Sequence, residues 1–207
     1  MISMRSDHAV RHNAAFGALI GLAVGDSLSS LEHVPAAACG AMEPLPLWGA
    51  AAATAFEMGE AVLNRQLLDM GSGPTGILAA AIALADPDAS PLLLGNPDAV
   101  LVCSLVRSAM FGEFAMDTDE ACSPDTHEVL TAVRNAQNFC GALQNATPQA
   151  LPLTGALAGL RWGPGAIPAA WATQVTGPVG TRTYGLRQLR RLAERLMQQD
   201  APVPPEP

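Results

Sequence analysis

Five side chains in this sequence could bind a ligand or move a proton: Asp26, Glu32, Ser104, Arg107 and His127. Asp26 closes a long apolar run. A carboxylate there either touches a ligand or ties down the end of a buried helix. Glu32 and His33 follow closely and belong to a cleft rim or to a solvated face. The Arg107 guanidinium could hold a phosphate through its planar fork, or bridge two helices by carbonyl contacts or an ion pair. Ser104 is a ligand contact or a helix-packing residue, and His127 an acid–base group or a surface residue. Asp26, Glu32 and His127 are thus the catalytic candidates. Asp26, Glu32, Ser104 and Arg107 are the ligand-binding candidates, and no residue is assigned to a metal. Cys39, Cys103, Cys122 and Cys140 are far apart with no CxxC, which reads as buried free thiols in a reducing cytosol. They do not pair with His8, His12, His33 or His127 at zinc-finger spacing. Trp48, Trp162 and Trp171 read as packing anchors.

The elements that must position these residues are helical. Residues 14–31 form a pattern apolar nearly all round, so this helix should be central. A Pro/Ala/Gly-rich loop follows, then a helix over 47–69 with Phe56, Met58, Val62, Leu63 and Leu67 as core candidates. Further helices are expected at 76–85 and 99–114. Another should run over 123–143, opened by the cap, proline and acid of Ser123-Pro124-Asp125. Short helices at 154–162 and 167–171 precede a last one at 183–199, whose Leu186, Leu189, Leu192 and Leu196 share a face. No strand of useful length and no internal repeat is expected. The organisation is a polar arm at 1–13, one domain at 14–198 and a disordered Pro-rich tail at 199–207.

Composition bounds the function. The 207 residues suit one domain, and 49% hydrophobic with 14% charged residues excludes global disorder. The net charge is −8, which argues against nucleic-acid binding because an acidic surface repels a phosphate backbone. All eleven basic residues are arginine, so any chemistry that needs lysine is excluded. Abundant Ala, Leu and Gly with only 4% aromatics favour close-packed helices. The apolar run 14–25 is flanked by Asp7 and Asp26 and is too short to span a bilayer. It reads as a buried first helix rather than a signal peptide, so a cytoplasmic protein without a membrane partner is expected.

Three segments carry a family resemblance. The opening helix is Phe16-Gly-Ala-Leu-Ile-Gly-Leu-Ala-Val-Gly-Asp26-Ser-Leu28. Near the end stands Gly155-Ala-Leu-Ala-Gly159-Leu-Arg-Trp-Gly163-Pro-Gly-Ala-Ile167-Pro168-Ala-Ala-Trp171. Between them lies Val102-Cys-Ser-Leu-Val-Arg107-Ser-Ala-Met-Phe-Gly112. In this order they resemble the ADP-ribosylglycohydrolase family, which includes the dinitrogenase-reductase-activating glycohydrolases. The chain is shorter than typical members. The resemblance implies an all-α, compact orthogonal helical bundle with a cleft for an ADP-ribosyl group. It also implies two Mg²⁺ or Mn²⁺ ions, held by a Thr-Asp-Asp-Thr run and an Asp-x-Asp-Thr run on separate helices.

The aligned positions depart from both runs. The first reads Gly49-Ala50-Ala51-Ala52 after Trp48, and methyl groups cannot ligate magnesium. The second reads Ala146-Thr147-Pro148-Gln149. No Asp lies between Asp26 and Asp69 or between Asp125 and Asp200. Glu128 and Glu194 are the carboxylates of the second gap, and neither is expected beside the run. Asp26 matches the family's first-helix Asp, Ser104 and Arg107 match retained positions, and Glu32 falls one residue short of the family's Glu, where His33 stands. Magnesium is therefore expected for the family but not for this chain. The expectation is a non-catalytic binding, regulatory or immunity-type protein whose partner is ADP-ribose, an ADP-ribosylated protein or another protein. The alternatives are an active ADP-ribosyl hydrolase with a rearranged site, and a helical adaptor without a ligand.

Overall fold

Helix α1, Ser3–Leu28, is the axis of the molecule. Every residue from Ala14 to Leu28 is buried, as an all-round apolar pattern requires. The helix begins at Ser3, so it takes in most of the segment read as a polar arm. The computed structural model describes residues 3–31, 34, 44–64, 97–111, 113 and 122–198. The expected helix at 76–85, Leu67, Cys39 and the tail at 199–207 lie outside the described residues.

The remaining described elements follow in chain order. Helix α2 is Ala50–Leu63, α3 is Pro97–Met110, α4 is Pro124–Asn135 and α5 is Phe139–Gln144. Helix α6 is Leu151–Trp162, followed by a single 3-10 turn at Pro164–Ala166 and helix α7, Ala169–Gln174. Strands β1, Thr176–Val179, and β2, Arg182–Gly185, lead into α8, Leu186–Gln198. The chain is mostly helical, as expected.

Helices α1 and α6 run antiparallel with their backbones in contact. Glycines recur every four residues at 17, 21 and 25 and line one side of α1; Gly155 and Gly159 do the same on α6. A Cβ on Gly21 would land on the Gly155 carbonyl oxygen, and a Cβ on Gly155 on that of Gly21. Gly17 and Gly159 stand in the same relation, and Gly25 lies against the Leu151 carbonyl. Leu151 through Leu160 are all buried. Helix α3 packs on α1 and α6, α4 and α5 pack on α6, and α8 packs on α1 and α2. Phe56 and Met58 of α2 are core residues, as expected.

Two local expectations are corrected. The hairpin β1–β2 was not foreseen; Thr176 pairs with Gly185 and Val179 with Arg182, and Gly180 turns the chain at φ +57°. Its strands are four residues long and contain Gly and Pro, so they lack the alternation that marks a strand. They are held from outside. The Trp48 N–H donates to the Thr176 carbonyl at 3.1 Å, and Trp48 Nε1 donates to the Pro178 carbonyl at 3.0 Å. Gly180 N donates to Glu57 Oε1 at 2.6 Å. The second correction is that the helix expected over 123–143 is two helices. Ala136 is extended, and the Asn138 side chain caps α5 by accepting from Gly141 N at 2.8 Å. The expected Ser123 cap of α4 is present, with Thr126 N donating to Ser123 Oγ at 3.3 Å.

Candidate functional site

Helix α2 starts at Ala50, so its first N–H groups lack partners within the helix. Asp26, in the last turn of α1, supplies the acceptor. Ala52 N donates to Asp26 Oδ2 at 2.8 Å, and the Gly49 N–H lies against the same carboxylate. Asp26 is only 6% exposed. Burial pushes its pKa above the ordinary carboxylate value of 3.8, and the two backbone N–H groups hold it partly back. Asp26 ties down a helix end, one of the two roles open to it. It closes the start of α2 from the end of α1; the negative charge suits the α2 dipole and opposes that of α1. Ser29 Oγ and Ser30 Oγ finish α1 by donating to the Asp26 and Ser27 carbonyls at 2.7 and 2.9 Å.

In the second region the expectation that Glu128 is not beside the run is corrected. Thr147 N donates to Glu128 Oε1 at 2.8 Å. Glu128 is therefore beside the 146–149 segment in space, although it is distant in sequence. The 19-residue separation carries no local signal; only the packing of α4 and α5 on α6 brings the two together. Because Gly25 lies on Leu151, the segment entering α6 and the end of α1 meet at one end of the helix pair. His127 and Glu128, with Thr131, Asn135 and Asn145, line a hollow of about 420 Å³ there. His127 itself is exposed.

The other candidates do not join Asp26. Its carboxylate meets backbone groups, not Ser104, Arg107 or His127. Ser104 is exposed on α3. Arg107 is half-buried one turn beyond Cys103; burial pushes that thiol's pKa up, and the guanidinium offsets part of the rise. Burial likewise raises Cys140, so neither is an activated thiol. Glu32 and His33 lie outside the described residues. A third carboxylate shows what a wetter setting does. Asp98 opens α3 and accepts from Ser123 N at 2.8 Å. Burial raises its pKa, but the Ser123 hydroxyl and N–H and the Thr126 hydroxyl outweigh that and leave it below 3.8.

The residues present do not fit a pair of divalent ions. Hard cations need several converging oxygens. At 50–52 they would meet methyl groups, and Asp26 Oδ2 already accepts an N–H. Among the described residues, no group of three or more His, Cys, Asp or Glu could hold a metal ion.

No protein-family model and no curated protein matches the sequence. The fold is informative where the sequence is not. A solved structure described as an "ADP-ribosylglycohydrolase-related protein complex" matches with a TM-score of 0.65. The match covers 92% of this chain and 99% of that one, at 16% identity. The chain has an ADP-ribosylglycohydrolase-like fold. That neighbour is matched over nearly its whole length, so the ADP-ribosylglycohydrolase-like fold is present at this chain's size. No helix among the described residues is long and apolar enough to cross a membrane.

Proposed function

We propose that this chain is a non-catalytic member of the ADP-ribosylglycohydrolase-like fold that works by binding a partner. The observation that carries the reading is Asp26. The carboxylate that matches the family's first-helix Asp is buried and accepts the Ala52 N–H at the start of α2. That helix start offers alanine methyl groups where the family resemblance calls for ligands. Glu128, in a more exposed setting, accepts from Thr147 N. The structural neighbour's description as a related protein complex agrees with a role in assembly.

The test is release of ADP-ribose from an ADP-ribosylated protein with Mg²⁺ or Mn²⁺ present. No release is expected, and clear turnover sinks the reading. Titration with ADP-ribose then locates the binding. Heat would assign it to the cleft, and its absence to an outer surface.

A further inference from the structure

Residues 182–195 hold five of the eleven arginines and a single acid, Glu194. The rest of the chain holds six arginines against eighteen acidic residues. The five are Arg182 on β2 and Arg187, Arg190, Arg191 and Arg195 on α8, and all are exposed. Arg187, Arg191 and Arg195 recur every four residues, so they share one face of α8. At 1.5 Å per residue that row is about 12 Å long. Arg182, Thr183, Tyr184, Gln188, Arg191 and Arg195 line a hollow of about 510 Å³ floored by Glu60.

The internal contacts do not use up this charge. Arg195 Nη1 donates to Glu60 Oε2 at 2.7 Å, and the Tyr184 hydroxyl donates to Glu60 Oε1 at 2.9 Å. Both oxygens of Glu60 therefore pin α8 and the hairpin to α2. Arg190 lies over the Phe16 ring, 5.0 Å from its centre. Arg182, Arg187 and Arg191 make no ion pair among the described residues. Like charges four residues apart on a helix are destabilising. The row contains two such pairs, Arg187 with Arg191 and Arg191 with Arg195.

We propose that Arg182, Arg187 and Arg191 form the docking face for an acidic segment of a protein partner. The face deepens the binding reading above by naming its surface and partner chemistry, and rests on it only for its purpose. Charge complementarity selects the occupant. Arg187 and Arg191 lie one turn apart on α8, and Arg182 of β2 lines the same hollow as Arg191, so the charges extend along a surface that suits successive Asp or Glu side chains. A compact polyanion drawn into the hollow would face the Glu60 carboxylate. A nucleic acid would meet the acidic remainder of the chain.

The test uses the full chain and a fluorescent oligoglutamate peptide followed by anisotropy. The wild type should bind, and binding should weaken as salt is raised. Changing Arg182, Arg187 and Arg191 together to Ala should weaken it by about tenfold or more. Arg134→Ala, at an exposed position on α4, should leave it unchanged. The unfolding midpoint of each variant separates loss of charge from loss of fold. If the triple variant fails to fold, Arg187→Ala and Arg191→Ala are read singly. Absence of binding, or equal binding by the variants, overturns the proposal. So does displacement of the peptide by inorganic pyrophosphate at lower concentration, which would make the face a phosphate site. Salt-sensitive self-association in sedimentation would make the occupant a second copy and also overturns it. The ADP-ribose release assay does not touch this face, so the two readings fail independently.

Discussion

The α1–α6 pair and the outer face of α8 handle their polar groups in opposite ways. In the pair, carbonyl oxygens sit where a side chain would be, and the Asp26 charge at its end is closed off by the α2 backbone. On α8, three arginines face solvent with no ion pair among the described residues. The charge at the end of the pair is closed against backbone, whereas the last helix turns its charges to the surface. Stability should therefore reside in the first region and recognition in the second.

The largest expected break of that comparison is Gly155→Leu. Its side chain would collide with the Gly21 carbonyl and force the helices apart, costing about 3 kcal/mol or more in urea unfolding. Gly165→Ala is the control. A Cβ there meets nothing within 4 Å, so the unfolding midpoint should hardly move. Next is Asp26→Ala, which leaves the start of α2 without its acceptor and should cost about 1–2 kcal/mol. Asp26→Asn keeps one acceptor oxygen and should cost less than the alanine change in the same assay.

Titration sharpens the contrast between buried and wetter carboxylates. The folded pKa of Asp26 lies above 3.8, so above that pH the unfolded chain sheds this proton first. Its contribution to stability is complete below 3.8 and is lost as pH rises through the folded value. Unfolding across the acid range should therefore show Asp26→Asn gaining on the wild type as pH rises. The folded pKa of Asp98 lies below 3.8, so its contribution is present above that pH and is lost as pH falls through the folded value. Asp98→Asn should fall behind the wild type as pH rises. The smallest effect belongs to the α8 face. Arg187→Ala and Arg191→Ala should each change stability by less than about 0.5 kcal/mol in urea unfolding, whatever they do to binding.

Much of this architecture could be read along the chain where the signal is local. The unbroken apolar run of 14–25 marks a central helix, and Ser123-Pro124-Asp125 marks a helix start. Abundant Ala, Leu and Gly pointed to close-packed helices, though not to which two would pair. The hairpin was illegible because its stability comes from Trp48 and Glu57, more than a hundred residues upstream. The break at 136–138 was missed because Ala136 gives no warning, although Asn138 is a capping type of residue. At the candidate site, the backbone partner of Asp26 lies at a helix start 26 residues away, beyond the reach of a local signal. Glu128 was set aside because its nearness to Thr147 is made by packing, not by sequence.

The Asp26–Ala52 contact also bears on how such a protein can change over generations. A carboxylate introduced at Ala50 or Ala51 would place a second negative charge beside a buried one, with no cation to separate them. Single steps toward a metal cage would each weaken the fold before any ion could bind. Several ligands would have to arrive together before an ion could be held at this helix start.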